Sequence, residues 1–197
     1  YASSAANAAD LKTLEEKNFI RLSEMEIWRD PLEHIEVSPA IPPELTDAQS
    51  DAWKKIEGIF RDRLNSSPIL IHGVTGSGKT EIYLRAVEAT IRQGKQVIVL
   101  VPEISLTPQI VHRLRQAFGD RVGVYHSRMD DNLRVEVWNK VLSFGADPAA
   151  SYQVVLGARS ALFLPFLRPG LIIVDEEHEN SYKQGDSSPR YHARDMA

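Results

Sequence analysis

The sequence predicts an α/β fold with a parallel sheet, preceded by a small separate module. Three observations carry that prediction. From Leu45 onward, apolar runs of strand length alternate with segments of helical period. A glycine-rich loop, Gly73-Val74-Thr75-Gly76-Ser77-Gly78-Lys79-Thr80, stands where one such run gives way to a helical segment. A run of four aliphatic residues, Leu171 to Val174, ends abruptly in Asp175-Glu176-Glu177-His178.

The front is set apart by charge: Tyr1 to Glu44 carry four basic residues against nine acidic ones, and 19 basic against 18 acidic follow. Within it, Ser3 to Lys17 reads as a helix, capped by Ser3 or Ser4, with Ala8, Leu11 and Leu14 at helical spacing. Phe19 to Leu22 and Glu26 to Arg29 read as two short strands. One helix and one hairpin enclose no core of their own. Asp30 to Glu44 then contain Pro31, Pro39, Pro42 and Pro43, a stiff extended connection without period. The expected division is a front module at 1–37, a proline-rich linker at 38–45 and a main domain at 46–197.

The main domain opens with a helix expected from Asp47 to Leu64, which puts Trp53, Ile56, Phe60 and Leu64 on about one face. Strands are expected at Ile69 to His72, Gln96 to Val101, Val122 to His126, Gln153 to Leu156 and Leu171 to Val174. Helices fall between them at Lys79 to Gln93, Thr107 to Phe118 and Asp130 to Phe144. This order is that of βαβ units.

Composition removes several function classes. The 197 residues are 43% hydrophobic and 25% charged, ordinary for a globular chain. Cysteine is absent and the six histidines form no HExxH pair, so any metal is expected to be held by oxygen. No apolar run nears the roughly 18 residues of a membrane span, and Tyr1 to Asp10 lack the regions of a signal peptide. A cytoplasmic protein with no membrane partner is expected. The net charge of −4 does not announce a nucleic-acid partner, so only local geometry can argue for one.

The glycine-rich loop fits GxxxxGK[ST] between a strand and a helix, the context in which the pattern has a mechanism. Glycines at 73, 76 and 78 let the backbone curl so that N–H groups, including those of Thr75 and Ser77, face a polyphosphate at a helix start. Lys79 would reach the β and γ phosphates, and Thr80 would give its hydroxyl to Mg²⁺. ATP with Mg²⁺ is therefore the expected cofactor pair. At the end of the last strand, Asp175 is placed to hold Mg²⁺ and Glu176 to orient and deprotonate the attacking water. His178 lies just beyond, where it could relay nucleotide state to a neighbouring site. A carboxylate able to activate water favours hydrolysis over transfer to a metabolite.

GVTGSGKT followed by DEEH resembles the DEAH-related branch of superfamily 2 helicases. The strings LVPEISLTPQ (Leu100 to Gln109), YHS (Tyr125 to Ser127), GARSALFLPF (Gly157 to Phe166) and Ser181 to Gln184 with Arg190 to Asp195 narrow the resemblance to the primosomal replication-restart helicases, over about Leu45 to Ala197. It implies a RecA-like lobe. The front string LKTLEEKNFIRLSEMEIWRDPL is similar to the last helix and wing of the winged-helix DNA-binding domain that precedes the helicase core in that family.

The resemblance also implies roles for residues. Gln49 would contact adenine, although TxxQ from Thr46 to Gln49 equally fits a capping box, and both can hold at once. Thr107, Arg159 and Ser160 lie in turns that hold DNA in the family; read alone, Thr107 is a helix cap ahead of Pro108. The loop after DEEH matches an aromatic-rich loop that senses DNA, so Tyr182, Tyr191 and His192 are expected to stack on bases, the alternative being a surface loop packed on its own tyrosines. Its middle holds Gly185 to Pro189, where some relatives place a tryptophan.

Motors of this superfamily close two lobes on ATP, with an arginine finger from the second. The chain starts without methionine and ends soon after the second nucleotide motif, so a first lobe without its partner is expected. Arg85, Arg92 and Arg113 read as solvated residues rather than substitutes for that finger. Zinc is expected only in a cysteine-rich insertion of the missing half. The complete protein is expected to move 3′→5′ on single-stranded and forked DNA, with other primosome proteins and single-stranded DNA-binding protein as partners. A RecG-like fork translocase, a phosphate-loop kinase and a non-catalytic DNA-binding module are the competing readings.

Overall fold

The computed structural model describes residues 13, 17, 19, 43–61, 68–74, 76–147, 150–185, 188 and 190–197. All of the front module but residues 13, 17 and 19, and most of the linker, lie outside the described residues, as does Thr75 of the glycine-rich loop. Four helices and a parallel sheet follow the expected order: α1 (Asp47–Arg61), α2 (Lys79–Arg92), β1 (Gln96–Leu100), α3 (Pro108–Phe118), β2 (Val122–Tyr125), α4 (Asp131–Leu142), β3 (Val154–Gly157), β4 (Pro169–Val174) and a terminal turn α5 (Ala193–Met196).

The sheet runs β2-β3-β1-β4, and every described pairing in it is parallel. Its chemistry starts from β1, whose five residues QVIVL are all buried. A parallel strand covered by helices on both faces needs apolar side chains in both directions, and alternation then divides them between two cores. Val97, Val99 and Val101 pack with Val87 of α2 and with Val111, Leu114 and Phe118 of α3. Ile98 and Leu100 join Val137 and Val141 of α4 on the other face. At the start of β1 the side chain of Gln96 is fully buried yet satisfied. Its amide nitrogen donates to the carbonyls of Val141 (3.1 Å) and Tyr152 (3.3 Å), and its oxygen accepts from the backbone N–H of Leu167 (2.9 Å) and Arg168 (3.2 Å).

Register brings the strands to a common end. Leu100 lies beside Gly157 and Val174, and Tyr125 beside Gly157. The segments leaving this carboxyl edge, 101–107, 126–130, 158–163 and 175–183, contain Thr107, Arg159, Ser160, Asp175, Glu176, His178 and Tyr182, and open parallel sheets bind ligands there.

One expected strand is absent. Residues 68–74 make no sheet pairing, and Ile69 and Leu70 are 45% and 73% exposed. Apolar character predicts burial but does not supply a ladder partner, and Pro68 at the front of the run removes one donor. The sheet is bounded by β4 instead. Helix starts agree with their caps in one case and not in another: Asp130 accepts from Leu133 N–H at 3.0 Å, whereas Thr107, at the cap position of α3, makes no capping bond.

Candidate active site at the carboxyl edge of the sheet

The glycine-rich loop enters α2 with Gly76 (φ 78°) and Gly78 (φ 81°) in the left-handed region, where a side chain is strained. A Cβ on Gly78 would in addition overlap the Gln49 amide. The Lys79 ammonium donates to the carbonyls of Gly73 (2.7 Å) and Val74 (3.1 Å), and Ser77 N–H returns to Val74 O (3.1 Å). These contacts curl the loop over the positive end of a 14-residue helix, where anions are favoured.

Gln49 braces the loop from outside. The capping box is formed: Thr46 N–H donates to Gln49 Oε1 (3.0 Å), and Gln49 N–H donates to Thr46 Oγ1 (3.4 Å). The same side chain donates through Nε2 to Ser77 O (3.0 Å), so one amide both caps α1 and touches the loop.

The acidic turn meets this loop at Tyr83. Its hydroxyl lies 3.2 Å from Thr80 Oγ1 and 3.5 Å from Asp175 Oδ2, so the hydroxyl and the carboxylate expected at Mg²⁺ face a common point. Burial pushes the Tyr83 phenol up to about 12, with the Thr80 bond opposing and the charges of Asp175 and Glu176 adding. Hard oxygen donors of this kind fit Mg²⁺, which takes one or two carboxylates and completes its shell with phosphates and water. No cluster of three or more His, Cys, Asp or Glu residues suited to a metal occurs among the described residues.

Asp175 is held on all sides: its N–H donates to Leu100 O (2.9 Å), its Oδ1 accepts from Glu176 N–H (3.1 Å), and its carbonyl accepts from the Tyr182 hydroxyl (2.5 Å). Glu176, exposed, has φ 49°, the one positive φ outside glycine among the described residues, a backbone state costing roughly 1–2 kcal/mol. Its Oε2 accepts from Ser105 Oγ at 3.0 Å.

Tyr182 corrects an expectation. Only 1% exposed, it lies in the α4-side core, and its hydroxyl reaches both Leu100 O (3.1 Å) and Asp175 O. No ring face is left for a base. Burial, then the charges of Asp175, Glu176 and Glu179, push its phenol well above the usual range. Tyr191 is half-buried, edge-on to Phe163 with ring centres 5.1 Å apart. Arg159 donates to the carbonyls of Ser181 (3.3 Å) and Lys183 (2.8 Å), tying the 158–163 turn to the loop that carries Tyr182. Ser160 and Thr107 are half-buried on the same edge, while His178 is exposed, 4.0 Å from Glu179 Oε1.

Sequence reasoning missed three groups here. Tyr83 stands at i+3 from Thr80, a same-face signal that was legible. Ser105 had no signal beyond membership in a longer string. Glu81 is buried at 7% exposure and ion-paired to Arg113 and to Arg85 (3.7 Å), so these two arginines are not the free solvated residues expected; Arg92 pairs with Glu88 (2.6 Å) on the surface.

Residues 46–196 match the DEAD/DEAH box helicase family. The chain belongs to that family. Its sequence is also similar to replication restart protein PriA of Bacillus subtilis (strain 168), with 44% identity over 97% of this chain and 23% of that protein. The PriA protein of Synechocystis sp. shares 39% over 97% of the chain and 22% of its own length, and that of Haemophilus influenzae 52% over 65% and 17%. The chain thus spans about a quarter or less of these relatives. A DEAD/DEAH helicase domain uses a nucleotide and a metal, and the loop at 73–80 with the turn at 175–176 is where this fold offers groups for both. No helix among the described residues is long and apolar enough to cross a membrane.

Proposed function

We propose that this chain carries the ATP-binding lobe of a replication-restart DNA helicase moving 3′→5′ on single-stranded and forked DNA. The observation behind the reading is that Tyr83 brings Thr80 of the glycine-rich loop to Asp175 at the sheet edge from which the turns at 101–107 and 158–163 also leave. The PriA relatives support the restart role. Lys79 binds the β and γ phosphates, Gln49 reads adenine, and Thr80 and Asp175 hold Mg²⁺. Bound there, Mg²⁺ neutralises charge on the polyphosphate. Glu176 takes the proton of the attacking water, and the exposed His178 passes nucleotide state onward. Thr107, Arg159, Ser160 and Tyr191 face DNA, chiefly its phosphates, which gives sequence-tolerant binding without a basic surface. Tyr182 acts from within, by holding Asp175. Residues 1–37 belong to a winged-helix DNA-binding domain. Other primosome proteins and single-stranded DNA-binding protein are the partners in the cytoplasm, and zinc belongs to a part of the protein outside this chain.

Arg85 and Arg113 are engaged by Glu81 and Arg92 by Glu88, so none stands free to stabilise the γ phosphate. A second lobe supplies that arginine, an effect worth ~10³–10⁵ in rate in related phosphate-loop systems. ATPase of the full-length protein, with and without forked or single-stranded DNA, tests the reading. Turnover stimulated by DNA is expected, while residues 1–197 alone bind ADP or ATP and turn over almost nothing. Turnover indifferent to DNA would instead favour a phosphate-loop kinase.

A further inference from the structure

The hydrogen bond from Ser105 Oγ to Glu176 Oε2 joins two parts of the molecule with different expected jobs. Glu176 is the group that must accept a proton from water. Ser105 sits in the 3₁₀ turn Glu103–Ser105, between β1 and α3, in the segment read as DNA-facing. Its backbone is already committed: Ser105 N–H donates to Pro102 O (2.8 Å) and its carbonyl accepts from Thr107 N–H (2.8 Å). Only the hydroxyl is free to change partner. The turn is pinned on its other side, where Ser127 donates to Glu103, and its tip, Ile104, is 86% exposed.

A serine hydroxyl has one proton and donates to one acceptor at a time. The Glu176 carboxylate and an arriving DNA phosphate compete for it. While the bond stands, it fixes one of the carboxylate's two oxygens on a residue that already has a strained backbone. We propose that Ser105 is a positioning residue that restrains Glu176 in the DNA-free protein, and that a DNA phosphate at the 103–107 turn takes over the hydroxyl and releases the carboxylate for catalysis. The inference rests on the proposed DNA-stimulated ATPase. By reciprocity, whatever favours the released carboxylate also favours DNA.

The test uses the full-length protein. Ser105→Ala is expected to raise DNA-free turnover about three- to tenfold, the net worth of an ordinary exposed hydrogen bond, and to shrink the DNA stimulation ratio in proportion. Ser105→Thr, which keeps the hydroxyl, is expected to restore the parental ratio. A second readout needs no turnover: without nucleotide, Glu176→Ala should bind single-stranded DNA several-fold more tightly than the parent, and the gain should vanish in the Ser105→Ala background. A gain of equal size in both backgrounds would mean simple loss of a negative charge and would overturn the proposal. So would a Ser105→Ala protein with parental or lower DNA-free turnover. A parent whose ATPase ignores DNA would overturn the functional reading itself, which separates the two failures.

Discussion

The glycine-rich loop and the acidic turn meet at Tyr83, yet they are held in opposite ways. The loop is held mostly from within: Lys79 caps Gly73 and Val74, Ser77 turns back to Val74, and Gln49 is its one described hydrogen-bonding brace from another element. The acidic turn is held mostly from afar. Asp175 meets Tyr83 across 92 positions, Glu176 meets Ser105 across 71, and Asp175 N–H rests on the end of β1. On the proposed roles, a phosphate cradle therefore needs little more than its own eight residues and a helix, whereas a water-activating carboxylate needs the assembled sheet. Binding and hydrolysis should separate under mutation for that reason.

The largest break is expected inside the loop. Lys79→Ala removes both the ammonium proposed to meet phosphate and the clasp on Gly73 and Val74, and calorimetry with Mg²⁺-ADP should detect no binding. Next comes Glu176→Gln in the full-length protein. The amide holds water but accepts no proton, so ATP stays bound while turnover falls by about 10²–10⁴. Tyr182→Phe probes the distant support: it removes the donor shared by Leu100 O and Asp175 O and should cost about 1–2 kcal/mol in urea unfolding, with turnover falling more than nucleotide affinity. The smallest effect is at the brace. Thr46→Ala leaves Gln49 in place but opens the capping box, costing about 1 kcal/mol by the same measurement and loosening nucleotide binding only slightly.

The same contrast explains what could be read from the sequence. The helices and the strands of the sheet were legible to within a few residues because helical period alternates with short continuous apolar runs such as QVIVL, which the structure buries on both faces. The cradle was legible because its contacts are local. Ile69 to His72 was misread because an apolar run secures neither burial nor a ladder partner by itself: Ile69 and Leu70 are exposed. Tyr182 was misread because nothing in its neighbourhood distinguishes a ring turned outward to bases from one turned inward under a strand end. Glu81 showed its i+4 partner Arg85 in the sequence, but Arg113 approaches from another helix, and no spacing rule reaches that far.

The strand order has a consequence during synthesis. β1 is the first strand of the sheet to be made, and its partners are Val154 to Gly157 of β3 and Pro169 to Val174 of β4. Every residue of β1 is apolar except Gln96, and that amide waits for the carbonyls of Val141 and Tyr152. At about 5–20 residues per second, a ribosome makes the intervening chain in roughly 3–12 s, and for that interval a fully buried strand of the finished domain has no neighbour to pair with. The emerging chain must keep QVIVL covered by α2 and α3 alone, or by a chaperone, until the second half arrives.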